Sequence, residues 1–264
     1  MIKKIVKKIY GKLEWRRRKF IRDYSVRSVS NKPWMKQLIE CQQEIASLNP
    51  NPLWLKYQRD YEIYFWLHIP KWIMEDWINQ KVDKCLDIGC GVGVIALYCK
   101  KLLNCEVYCT DCVDIYLNPV LIKKYNFMFS VNNIELDPFP WNYKFDIIIF
   151  TEVLEHLNFH PIPTLKKICG LLSDKGKLYL STPDASKWGR VTKYYSCVND
   201  MPYPRKGLPV IDERYAREHI YQYTKNELLK ILDIAGFEVY RFSYSPGVSS
   251  RHFNLTLTRK QKKF

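Results

Sequence analysis

The sequence predicts an α/β fold: a doubly wound, mostly parallel seven-stranded sheet with helices on both faces, preceded by a helical N-terminal extension. Three observations predict it. From residue 81 onward, strand-like apolar runs alternate with helix-like segments, the pattern that builds parallel sheets. The run at residues 145–150 is apolar almost throughout, as a strand covered on both faces requires. Before residue 81 the apolar residues recur at helical spacing only.

Residues 1–32 read as a basic amphipathic extension. Ile2, Ile5, Val6, Ile9, Tyr10 and Leu13 form one helical stripe, while Lys3, Lys4, Lys7, Lys8 and Lys12 fill the other face. Residues 33–80 read as a helical region, with helices at 34–48, 54–67 and 71–80. Asn49-Pro50-Asn51-Pro52 separates the first two, and Pro70 ends the second. Six of the eight Trp lie between Trp15 and Trp77, read as helix-packing aromatics rather than a ligand cage. Residues 81–264 read as the sheet domain. Strands are expected at 82–88, 106–110, 127–131, 145–150, 177–181, 237–244 and 252–257. Helices are expected at 92–103, 117–125, 152–157, 163–172 and 224–234. The last opens on the capping box Thr224-Lys225-Asn226-Glu227 and closes at Ala235-Gly236. Residues 184–223 show no regular pattern. Loops of that length are uncommon unless functional, so this segment is expected to cover the substrate. It places Trp188, Tyr194, Tyr195, Tyr203 and Tyr215 beside Arg190, Lys193, Arg205 and Arg214.

Composition narrows the function. With 264 residues, 47% hydrophobic and 26% charged, the chain can bury a core and is not disordered. The net charge of +15 suggests nucleic acid or an anionic membrane. Its location changes that reading. Residues 1–24 carry ten Lys or Arg against Glu14 and Asp23, and residues 251–264 carry five with no acid, so the body between is close to neutral. No apolar run approaches the roughly 20 residues that span a bilayer, and the N-terminus lacks the apolar region of a secretory signal. Nine unpatterned Cys suggest reduced thiols and a cytoplasmic location. Cys109-Thr110-Asp111-Cys112 has metal-ligand spacing, but no second ligand pair follows and Cys109 falls in a strand. No metal is therefore expected.

Three of only ten Gly fall in Leu86-Asp87-Ile88-Gly89-Cys90-Gly91-Val92-Gly93, between a strand and a helix. Missing Cβ atoms let the backbone turn sharply and let a ligand approach the main chain. A dinucleotide fingerprint would need glycine at position 94, which is Val94. Asp87 at the strand end suits a ligand with cationic groups rather than a pyrophosphate. This segment resembles motif I of the class I S-adenosylmethionine-dependent methyltransferases, specifically their small-molecule group (methyltransferase types 11 and 23). The likeness spans about residues 70–264 and includes 145–157, 176–183, 218–224 and 235–237. It implies a Rossmann-like fold, S-adenosylmethionine as cofactor, and cofactor-binding roles for Asp87, Gly89, Cys90, Gly91, Gly93, Asp111, Cys112, Asn133, Ile134, Thr151 and Glu152. Asp111 matches the acid that takes both ribose hydroxyls. Asn133 stands where the family often has the Asp that recognises adenine.

Methyl transfer requires alignment, worth on the order of 7–11 kcal/mol at best, and, for a hydroxyl acceptor, a base with pKa near the working pH. His156 is the first candidate, sharing a helix face with Glu152 at i, i+4. His219 is the second. His160 reads as a solvated loop residue, and His68 and His252 as residues without a constellation. The expected acceptor is a small molecule, an oxygen of a sugar or of a lipid-linked intermediate. Two alternatives stay open: an RNA methyltransferase, and a non-catalytic membrane-associated partner protein. Against nucleic acid, Thr151-Glu152-Val153-Leu154 replaces the Asn/Asp-Pro-Pro-aromatic tetrapeptide of base-amino methyltransferases, and no RNA-binding module is appended. The basic residues 1–24 are open to peripheral contact with an anionic membrane, to packing on the body or a partner, or to nucleic acid.

Overall fold

The computed structural model describes residues 13, 16–17, 19–21, 23–48, 63–188, 194–205, 207–208, 218–246 and 251–261. Its centre is strand β4 (Phe145–Thr151). The side chains of Phe145 and of Ile147 through Phe150 are fully buried, because helices cover both faces. Ile147 and Ile149 enter one core, and Ile148 and Phe150 the other, following the period of two. Phe145 joins the second core because the pairing register shifts between Phe145 and Ile147, a bulge that resets the alternation.

Around β4 lie β1 (Lys84–Ile88), β2 (Glu106–Asp111), β3 (Met128–Val131), β5 (Leu172–Pro183), β6 (Phe237–Tyr244) and β7 (His252–Arg259). The sheet order is β3-β2-β1-β4-β5-β7-β6. β1 to β5 pair in parallel, and β7 runs antiparallel to both β5 and β6. This is the mostly parallel seven-stranded sheet that the sequence predicts. β5 begins earlier than expected, because Leu172 pairs with Phe145 immediately after the preceding helix ends.

On the first face lie α1 (Pro33–Leu48), α2 (His68–Trp77) and α3 (Val94–Leu103), with α4 (Pro119–Tyr125) beside them. On the second lie α5 (Pro161–Leu171) and α6 (Lys225–Ile234). The Thr224–Glu227 capping box forms as read. Pro70 does not end a helix: it sits in the first turn of α2, where its missing N–H is not needed. Trp34, Trp66, Trp72 and Trp77 are core residues, as helix-packing aromatics should be.

Two polar clamps fasten the helical region to the sheet domain. Glu44 on α1 accepts from Lys101 (2.6 Å), Lys124 (2.6 Å) and the Tyr125 hydroxyl (2.5 Å). Burial works against its charge, but these three donors prevail and hold its carboxyl down to about 2. Asp76 on α2 accepts from the Tyr179 hydroxyl at 2.7 Å and pairs with Lys177 and Arg241. In the N-terminal extension residues 23–29 are helical, and Leu13 and Phe20 are exposed. The expected stripe from Ile2 to Tyr10 and most of the expected helix 54–67 lie outside the described residues. No described helix is long and apolar enough to cross a membrane.

Candidate active site

The loop after β1 turns on three left-handed glycines, with φ of +70° at Gly89, +52° at Gly91 and +81° at Gly93. They differ in what surrounds them. A Cβ on Gly89 would lie 2.4 Å from Val153 Cγ2, and one on Gly93 2.7 Å from Leu117 Cδ1, so both are required by packing. A Cβ on Gly91 would meet nothing within 4 Å. Gly91 lines an open cleft, together with Asp87, Gly89, Cys90, Thr151 and Trp66. This space lies at the carboxyl edge of the sheet, where open α/β sheets bind ligands.

The loop is tied down by main-chain bonds: Gly89 and Cys90 N–H donate to Thr110 O at 2.8 and 3.1 Å. Asp111, at the end of β2, accepts from the Gly91 N–H at 2.9 Å. Its burial raises the carboxyl pKa, against the donors that lower it. Cys112 is half-buried beside it. Gly93 serves the fold rather than the cavity wall. Asn133 uses its side-chain oxygen locally, accepting from Glu135 N–H at 3.0 Å, and the Ile134 side chain is in the second core. All nine Cys are free thiols, and Cys109 is fully buried as expected.

After β4 the structure corrects the sequence reading. Residues 152–157 do not form an α-helix. Glu152 has φ of +55°, and only a single 3-10 turn, Leu154–His156, follows. The reason is tertiary: Glu152 N–H donates to Ser181 O on β5, and its side chain is held by β5 and β7 instead of lying along a helix. Ser181 Oγ donates to Glu152 Oε1 at 2.6 Å, and His252 Nδ1 lies 2.8 Å from Glu152 Oε2. A non-glycine residue held at such a φ costs on the order of 1–3 kcal/mol and concentrates at functional sites. Burial pushes the Glu152 carboxyl up to about 7 and the His252 ring down to about 4, so the pair is not a full ion pair at neutral pH.

The same turn brings His156 to His219. Their rings meet edge to face at 5.0 Å. His156 Nδ1 lies 2.8 Å from Glu218 O, and the Gln222 amide engages His219 Nδ1 at 2.7 Å. Glu155, 1% exposed, has its Oε2 bonded by the Thr182 hydroxyl at 2.9 Å, and its main-chain oxygen accepts from Ile220 and Tyr221 N–H. Burial, then the neighbouring Glu152, raises the Glu155 carboxyl, and burial lowers the His219 ring.

Three histidine expectations change. His252 stacks on Phe65 at 4.1 Å and faces Glu152, so it has a constellation. His68 contacts Tyr244 O and Ser243 Oγ. His160 is buried, caps α5 by accepting from Ile162 N–H, and stacks on Tyr203 at 4.6 Å. Sequence reading also misses Trp66 in the cavity wall, and Glu155. The repeated acid in Glu152-Val153-Leu154-Glu155-His156 is the one local signal for Glu155; His252 has none. Of the covering segment, residues 184–188, 194–205, 207–208 and 218–223 are described. Tyr215, Arg190, Lys193 and Arg214 lie outside them.

A family profile described as "Methyltransferase domain" matches residues 57–241. The chain belongs to this methyltransferase family. Its sheet and loop are those of an S-adenosylmethionine-dependent enzyme, and S-adenosylmethionine is its cofactor. No curated protein sequence matches it significantly. Among solved structures, it is similar to an S-adenosylmethionine-dependent methyltransferase from Clostridium acetobutylicum (13% identity, TM-score 0.54, 78% of this chain and 96% of that one). It is also similar to 1,6-didemethyltoxoflavin-N1-methyltransferase of Burkholderia thailandensis, solved with 1,6-didemethyltoxoflavin and S-adenosylhomocysteine bound (18%, 0.52, 83% and 91%). A third is the [4+2]-cyclase SpnF (14%, 0.52, 72% and 80%). In the methyltransferase the open side of Gly91 and the carboxylate of Asp87 in the cavity wall fit a cationic ligand, and Asp111 stands behind the wall on the Gly91 N–H.

Proposed function

We propose that this methyltransferase acts on a small-molecule acceptor, at an oxygen of a sugar or of a lipid-linked intermediate, in a reducing, cytoplasmic compartment. One observation carries the reading. The cavity wall ends at Thr151, and the polar cluster of Glu152, Glu155, His156 and His219 begins at the next residue, so a cradle and a nucleophile-handling group share one sheet edge. Asp87, Gly89, Cys90, Gly91 and Asp111 hold the cofactor in this reading, with Cys112 and Asn133 at its margin. When bound, S-adenosylmethionine supplies a methyl group already activated by its sulfonium. The protein's task is then alignment and removal of the acceptor's proton. The Nδ1 contacts of His156 and His219 fix both rings, and the two rings receive the acceptor's reacting atom.

Residues 184–223 cover the acceptor. Tyr203, stacked on His160, and Tyr194, bonded to Glu218, offer aromatic surface beside the histidines. The test is a labelled-methyl screen of glycan, lipid-linked and RNA pools. Label in a small-molecule pool is expected, and label in RNA alone would overturn the reading. The basic residues 1–24 hold the enzyme at an anionic membrane surface. Liposome co-sedimentation should therefore fall when they are removed, and equal binding with and without them would refute this.

A further inference from the structure

We infer that Glu155, His156 and His219 form a binding site for a divalent transition-metal cation at the acceptor side of the cavity. One ligand atom from each of these residues lies within 4.8 Å of the other two. Donors that bind an ion tetrahedrally at about 2.0–2.2 Å stand about 3.3–3.6 Å apart. His156 Nε2 and Glu155 Oε1 stand at 4.0 Å, and rotation of the three side chains inward by about 1 Å would bring all of them to an ion.

Two further observations point to a cation. Glu155 Oε1 is buried without a hydrogen-bond partner, on a side chain that is 1% exposed. A buried carboxyl oxygen without a donor is costly unless a proton or a cation meets it. Both histidines also have an outer contact at Nδ1, the arrangement that fixes the tautomer of ligating imidazoles. For His156 the partner is the carbonyl of Glu218, so Nδ1 donates and Nε2 presents its lone pair. For His219 it is the Gln222 amide, whose own Oε1 is buried and unpartnered. Turning that amide over places Oε1 against a donating Nδ1–H, satisfies the orphan oxygen and frees the Nε2 lone pair for a metal. Two imidazoles and one carboxylate suit a first-row ion of the zinc type, with coordination positions left for a substrate oxygen.

The cysteine spacing led to the expectation of no metal. These ligands escape that reading because the two histidines are more than sixty positions apart in sequence. The inference deepens the proposed function and rests on it: an acceptor hydroxyl bound to the ion would pass its proton to solvent water more readily, and its oxygen would take the methyl group as the sulfonium's C–S bond breaks. In that case His156 and His219 give their lone pairs to the ion rather than to a proton.

The test uses full-length protein stripped with chelator and titrated with Co²⁺ and Zn²⁺ alone, by calorimetry and absorption spectroscopy. One ion per chain is expected, with visible Co²⁺ bands and no near-ultraviolet thiolate band. His156→Gln and His219→Gln should each weaken binding by at least about 10–100-fold, while circular dichroism stays unchanged. If Glu155→Gln fails to fold, the histidine variants still decide. No saturable binding, a thiolate band assigning the ion to cysteine, or equal binding in the double histidine variant would overturn the inference. Calorimetry with S-adenosylmethionine separates the two readings. Cofactor binding without metal refutes only the metal site, and metal binding without methyl transfer to any acceptor refutes only the proposed function.

Discussion

Between β1 and β2 the side of the site proposed to hold the cofactor is made largely of main chain. Its N–H groups and missing Cβ atoms come from residues 89–93, and its carboxylates, Asp87 and Asp111, close strands that are neighbours in the sheet. Across β4 and β7 the proposed acceptor side is made of side chains drawn from residues 152–156, 219–222 and 252. The first is a shape set mainly by backbone conformation and by main-chain bonds to the neighbouring strand. The second exists only when three distant stretches are packed together. Rigid backbone suits a fixed cofactor, and an assembled side-chain cluster suits an acceptor that varies between relatives.

This division can be broken by experiment. His156→Ala should produce the largest effect, lowering kcat by about 10²–10⁴-fold while the S-adenosylmethionine Kd changes little. A parallel loss of cofactor affinity would show that the two sides are one unit. Asp111→Ala should do the opposite, weakening cofactor binding in calorimetry by about 1.5–3 kcal/mol while kcat at saturating cofactor stays near its original value. Gly93→Ala probes the scaffold beneath both sides. Its Cβ would meet Leu117 at a φ of +81°, so the denaturation midpoint should fall by about 1–3 kcal/mol of stability. Glu44→Gln should be the mildest, about 0.5–1 kcal/mol at neutral pH. Its carboxyl is held at about 2 in the folded protein against an ordinary 4.5, so its contribution is complete above pH 4.5 and lost as pH falls toward 2. Melting temperatures followed across that window should show a flatter acid limb in the variant.

The two sides also differ in how far the sequence reveals them. The glycine loop is legible because its physics is local: a strand, a turn that needs left-handed backbone, and a helix occur in consecutive residues. The central strand β4 is legible because burial on two faces leaves a nearly unbroken apolar run. The acceptor side is not, because its geometry is set by partners distant in sequence. Glu152 reads as the first residue of a helix until Ser181 takes its N–H and His252 its carboxyl. Val153 then packs over Gly89, which joins the glycine loop to the turn after β4. His160 reads as solvated because a proline follows it, yet that proline starts α5 and leaves the histidine as a buried cap.

Strand β7 adds a consequence in time. It is the last strand in sequence, yet it lies between β5 and β6 and its first residue, His252, faces Glu152. During synthesis a chain emerges N-terminus first, so the glycine loop and Asp111 are available long before the slot beside β5 is filled. The contact between Glu152 and His252 therefore forms only once residues 252–259 have been made, after every other residue of the polar cluster.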